Sequence, residues 1–134
     1  MGLISGVHHI SMNCEKGSEY QKVLEFYCDV LGLSVVREWA DGVMISAGGT
    51  LLEIFTNGGG IRQKGAIRHI AFAADDPDAC AETVRQAGYP ILVEPKDVVI
   101  PAEPPYPARV AFCEGPLHEE IEFFCVQTSD GGAV

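Results

Sequence analysis

Basic residues are scarce in this sequence. Nine Lys and Arg stand against nineteen Asp and Glu, a formal net charge of −10. A surface of that sign repels phosphate backbones and anionic lipids, which argues against nucleic-acid and membrane partners. No apolar run is long enough to span a bilayer. The start, Met1-Gly2-Leu3-Ile4-Ser5-Gly6, lacks the basic and apolar regions of a secretory leader, so the expected location is cytoplasmic. Cysteines number five, an odd count, and none forms a C-x-x-C pair. That excludes a zinc ribbon, a dithiol redox motif and a disulfide framework. Cys113 and Cys125 lie in apolar runs and read as small buried hydrophobes. Neither G-x-x-x-x-G-K-[ST] nor G-x-G-x-x-G occurs, so there is no nucleotide fingerprint.

What is present is the composition of a folded domain, 47% hydrophobic and 21% charged over 134 residues. Residues 4–13 alternate as a strand does. Ser18 is a candidate N-cap for a helix over 19–31, where Tyr20, Val23, Leu24, Phe26, Tyr27, Val30 and Leu31 recur at helical spacing before Gly32. Strands are expected at 33–39, 43–47 and 50–56, separated by Asp41-Gly42 and Gly48-Gly49. Asn57-Gly58-Gly59-Gly60 is a connector. The order then repeats: a strand over 66–74, a helix opened by Asp75-Asp76-Pro77 and ended by Gly88, a short strand 91–93, and strands 108–113 and 119–127. Residues 94–107, with five prolines, read as a loop holding at most a short strand at 98–100. The fold class is therefore α+β: two βαβββ modules in tandem, 3–57 and 66–127, forming curved mixed sheets around one site.

The repeat reaches individual residues. Val7-His8-His9-Ile10-Ser11 matches Ile67-Arg68-His69-Ile70-Ala71, and Leu52-Glu53-Ile54-Phe55 matches Ile121-Glu122-Phe123-Phe124. Each module thus carries one His on its first strand and one Glu on its last. Strand parity puts His9 on the face of Val7 and Ser11, and Glu53 on that of Leu51 and Phe55. Two imidazoles and two carboxylates suit one divalent ion such as Zn²⁺, Ni²⁺, Co²⁺, Mn²⁺ or Fe²⁺, with positions left for substrate oxygens. Glu53 and Glu122 interrupt apolar runs, where a carboxylate needs a partner. His8 shares the parity of Ile10 and Met12 and reads as structural; His118 reads as an exposed turn residue. Arg37, Arg68 and Arg109 are candidates to hold an anionic substrate, although surface charge is the commoner use. Tyr20, Phe26, Tyr27 and Trp39 read as core.

These segments, with Leu24-Glu25-Phe26-Tyr27-x-x-Val30-Leu31-Gly32-Leu33, resemble the vicinal oxygen chelate superfamily, the glyoxalase/bleomycin-resistance/dioxygenase group, over about residues 5–127. The resemblance implies paired βαβββ modules and a homodimer. With Glu53 on the first module's last strand it favours a glyoxalase I (lactoylglutathione lyase) type of isomerase or lyase. Such an enzyme acts on a small α-oxygenated carbonyl compound by proton transfer through an enediolate. His9, Glu53, His69 and Glu122 would then be the metal ligands. Glu122 would also move the proton, with Glu53 a candidate to share that role. Nickel, zinc or cobalt would be favoured over manganese or iron. The alternatives are a methylmalonyl-CoA epimerase-like enzyme, a metal-free drug-resistance type of binding protein, and a dioxygenase. The short, Gly-rich 57–65 segment and Gly115-Pro116-Leu117-His118, standing where the family has Asp-Pro-Asp-Gly, depart from the glyoxalase I pattern and weigh against glutathione.

Overall fold

Alternating apolar residues build two separate sheets in a computed structural model that describes residues 7–58, 69–101 and 104–127. The chain divides into two compact units, Met1–Ile61 and Arg62–Val134. The first holds β1 (His9–Asn13), α1 (Ser18–Leu24), a π-helical segment (Glu25–Val30), β2 (Ser34–Trp39), β3 (Gly42–Ser46) and β4 (Leu51–Phe55). The second holds β5 (Ile70–Ala73), α2 (Pro77–Gln86), β6 (Ile91–Ile100), β7 (Tyr106–Glu114) and β8 (Glu120–Val126). Strand order is β1-β4-β3-β2 in one sheet and β5-β8-β7-β6 in the other. The outer pairs β1–β4 and β5–β8 are parallel and the remaining pairs antiparallel. Two like topologies in one chain are what the sequence repeat implied.

In the first unit, Val43, Ile45, Leu52 and Ile54 are buried, whereas their strand neighbours Met44, Leu51, Glu53 and Phe55 are only half-buried. One sheet face is therefore core and the other partly open. The expected helix over 19–31 changes character midway. Phe26 and Tyr27 are consecutive yet both fully buried, their rings meeting edge to face at 5.0 Å. An α-helix turns consecutive side chains 100° apart. The wider π turn, closed here by Leu31 N–H donating to Phe26 O at 2.9 Å, brings both toward the core. Ser18 is the first helical residue and not the cap. Gly17 takes that place at φ 95°, and the Glu19 carboxylate accepts from Glu15 N–H at 2.8 Å.

In the second unit α2 packs on β6, β7 and β8 through Ala81 and Val84. Asp76 caps it, accepting from Ala79 N–H at 3.0 Å, and Pro77 occupies the first turn. The expected loop at 94–107 is corrected: Ile91–Ile100 is one strand and Tyr106 already belongs to the next. Proline is tolerated because β6 is a sheet edge and Pro95 falls where the register slips between Val93 and Lys96. In the β7–β8 turn His118 takes φ 65°, the left-handed conformation usually left to glycine.

Candidate metal centre

The half-open face of the first sheet can be read row by row from its register. Ser34, Ser46, Leu51 and His9 form one row; Arg37, Met44, Glu53 and Ser11 the next; Trp39, Gly42, Phe55 and Asn13 the third. Paired residues share a face, so His9 and Glu53 are diagonal neighbours on adjacent parallel strands. Their side chains meet, His9 Nε2 lying 3.5 Å from Glu53 Oε1. The second sheet repeats the arrangement. Ser11 opposes Glu53 in the first unit and Ala71 opposes Glu122 in the second, each two residues past its His. There His69 Nε2 lies 3.1 Å from Glu122 Oε1.

The donors are shielded to similar degrees. The Glu53 and Glu122 side chains are 14% and 11% exposed, and those of His9 and His69 are 39% and 36%. Burial pushes the Glu122 carboxyl above its ordinary proton affinity, with His69 pulling the other way. His69 is packed edge-on against Phe112 at 5.4 Å. His8, read as structural from its parity with Ile10 and Met12, is exposed. Its Nδ1 lies 3.0 Å from His9 Nδ1, so one of the two rings donates to the other there.

The donor set fits a divalent ion. With metal–donor bonds of about 2.1 Å, neighbouring donors sit about 3.0 Å apart on a six-coordinate ion and about 3.4 Å apart on a tetrahedral one. The two His–Glu separations fall at those values. Among the described residues no cluster of three or more His, Cys, Asp or Glu side chains forms, so each unit offers a pair.

The other candidates separate clearly. Arg109 does not face an anion site. Its Nε and Nη2 donate to Asp78 Oδ1 and Oδ2 of α2, both at 2.9 Å, and its Nη1 lies 3.3 Å from Asp97 Oδ1. It shares the parity of buried Ala111 and Cys113. Arg68 lies outside the described residues. Arg37, in contrast, stands in the same row as Glu53. Trp39 is not core: it is 36% exposed on that face, its ring 5.7 Å from Phe55. A Cβ on Gly42 would fall 2.4 Å from the indole, so Gly42 is what lets the ring lie across the strand. A shallow cavity of about 370 Å³ is lined by Ser11, Met12, Asn13, Phe55 and Asn57. Counting alternate residues back from the β2–β3 turn would have placed Trp39 on this face together with the candidate Arg37. Burial raises the Cys113 thiol to about 12, which removes it as a nucleophile at neutral pH.

Two like βαβββ units, each pairing a His with a Glu at one register, define a duplicated α+β protein. The chain belongs to the Glyoxalase/Bleomycin resistance protein/Dioxygenase superfamily, whose family model matches residues 6–123. Comparison with curated proteins gave no match. Among solved structures the chain is similar to a glyoxalase/bleomycin resistance protein/dioxygenase from Alicyclobacillus acidocaldarius, with 17% identity, TM-score 0.69, and 93% of this chain and 94% of that one covered. It is also similar to TnmS3, an antibiotic binding protein from a Streptomyces species, with 18% identity, TM-score 0.71, and coverage of 95% and 100%. A glyoxalase family protein from Enterococcus faecalis has 20% identity, TM-score 0.67, and coverage of 94% and 100%. At these identities the neighbours show the fold alone. No helix among the described residues is long and apolar enough to cross a membrane.

Proposed function

We propose that the chain is a metal-dependent isomerase or lyase of the glyoxalase I type, with His9, Glu53, His69 and Glu122 holding one divalent ion. The observation that carries this reading is the duplicated His–Glu pair, set at one register in both units and at the spacing of neighbouring ligands. Nickel, zinc or cobalt suits two imidazoles and two carboxylates best, with manganese or iron also compatible. Bound there, the ion would supply Lewis-acid polarisation of an α-oxygenated carbonyl compound.

The chain's own residues do the rest. Glu122 is shielded, and its raised proton affinity suits it to take a proton from one carbon and return it to the neighbouring one. Glu53, similarly shielded, shares that work. His9 and His69 present Nε2 as ligands. A proton on His9 Nδ1, donated to His8, would keep the Nε2 lone pair available. The family resemblance supports a homodimer as the working form.

The test is solvent exchange. Ion-loaded protein is incubated in D₂O with an aldehyde hemithioacetal and, separately, with an acyl-CoA epimer. Deuterium is expected at the substrate carbon, falling by about 100-fold or more in Glu122→Gln. An ion-loaded protein that exchanges neither substrate overturns proton transfer. The second reading, a metal-free small-molecule binding protein, is favoured by one observation: each carboxylate already has its imidazole as a partner. TnmS3, an antibiotic binding protein, has the same fold.

A further inference from the structure

We propose that Arg37 selects substrates carrying a second anionic group, a carboxylate or a phosphate, which it holds beside an aromatic wall made by Trp39 and Phe55. This rests on the reading above, in that the half-open face of the first unit is taken as the substrate face.

Arg37 stands in the row Arg37–Met44–Glu53–Ser11, two strands from Glu53. Neighbouring strands are about 4.8 Å apart, so the two backbone positions are about 9.6 Å apart. The long arginine arm closes part of that gap. At about 1.5 Å per bond, a ligand of roughly three to five bonds can join a head group at Glu53 to an anion at Arg37.

The cation is available. In this acidic chain, among the described residues, Lys16 is paired with Asp41, Arg85 with Glu82 and Glu94, and Arg109 with Asp78 and Asp97. Arg37 has no carboxylate partner among them. Its neighbour Glu38 points to the opposite face, where it hydrogen-bonds the Tyr20 phenol. An unpaired guanidinium in the same row as the half-buried Glu53, with one strand between them, suits planar recognition of a carboxylate or phosphate. The next row supplies the wall. Trp39 meets Phe55 at 5.7 Å with an interplanar angle of 72°, and Gly42 beneath leaves the indole room. The wall covers the ligand's carbon chain while Arg37 takes its charged end.

Trp39 is the sole tryptophan, so its fluorescence reports on this face. The probes are 2-hydroxyglutarate and 2-hydroxypentanoate. They share a hydroxy-acid head and chain length and differ only in a terminal carboxylate against a methyl. Both are titrated into wild type, Arg37→Met, Arg37→Lys and Lys22→Met, each with and without Ni²⁺. Wild type is expected to bind 2-hydroxyglutarate about tenfold or more tightly than 2-hydroxypentanoate. Arg37→Met should erase that preference while keeping the affinity for 2-hydroxypentanoate, and Arg37→Lys should retain part of it. Lys22→Met, which changes net charge equally on α1, should behave as wild type. Equal affinities in wild type, a preference that survives in Arg37→Met, or no binding of either acid overturns the proposal. The metal reading fails separately, when Ni²⁺ alters neither affinity.

Discussion

Replacing Gly42 by Ala places a methyl 2.4 Å and 2.7 Å from two atoms of the Trp39 indole and 2.9 Å from the Ile54 carbonyl oxygen. Ordinary contacts begin near 3.5 Å. The indole must therefore retreat by about 1 Å, and the backbone oxygen has little freedom to follow. Overpacking of this kind costs about 1–3 kcal/mol. Removing a glycine from the unfolded chain returns about 0.4–1 kcal/mol, because the φ at Gly42 is not in the left-handed region. Trp39 is already a third exposed, so the ring can swing outward and limit the damage. The net expectation is a loss of about 1–2 kcal/mol. It should come with a red-shifted Trp39 emission as the indole leaves Phe55. Urea unfolding followed by circular dichroism gives the first quantity and the emission maximum the second. A cycle with Trp39→Ala completes the test: in that background Gly42→Ala should cost clearly less, since only the Ile54 contact remains. A Gly42→Ala protein as stable as wild type, with an unshifted spectrum, would refute the packing of this face.

Two further outcomes follow from the electrostatics. Glu122 holds its proton more tightly in the folded chain than its ordinary value of 4.5, chiefly through burial. The stability tied to that proton is complete below the ordinary value and lost as pH rises through the higher folded one. Metal-free wild type should therefore weaken relative to Glu122→Gln across that rise; urea midpoints that stay parallel with pH would contradict it. Asp78 is the opposite case, its carboxyl held below the usual range by the Arg109 hydrogen bonds. The stability it lends is present at neutral pH and lost as pH falls through its folded value. Arg109→Met should thus be less stable than wild type at pH 7, converge with it in acid, and leave ion and ligand binding unchanged. A loss of ligand affinity would return Arg109 to the substrate-binding candidates.

Much of the site was legible because strands have a period of two. That period put His9 with Ser11 and Glu53 with Phe55, and the same count worked for His69 and Glu122. What escaped the count were departures from regular geometry. The π turn at Glu25–Val30 arises from two adjacent buried aromatics, which helical periodicity cannot represent. The β6 strand was hidden by Pro95, whose penalty applies to a central strand and not to a slipped edge. Arg37 and Trp39 lie beyond a register slip in β2, between Val35 and Arg37, which breaks parity carried forward from the strand's start. Arg109 could not be separated from Arg37 by sequence, because its carboxylate partners come from α2 and β6, contacts that no local pattern announces.

The measurement closest to the central claim is metal stoichiometry and affinity for wild type, for His9→Ala/Glu53→Ala, and for His69→Ala/Glu122→Ala. Elemental analysis of chelator-free preparations gives the first, and titration with Ni²⁺ and Zn²⁺ the second. If both pairs serve one ion, wild type holds one per chain, and removing either pair abolishes tight binding. Two ions per chain, half the capacity left after one pair is removed, or a wild type that takes up neither metal would contradict it.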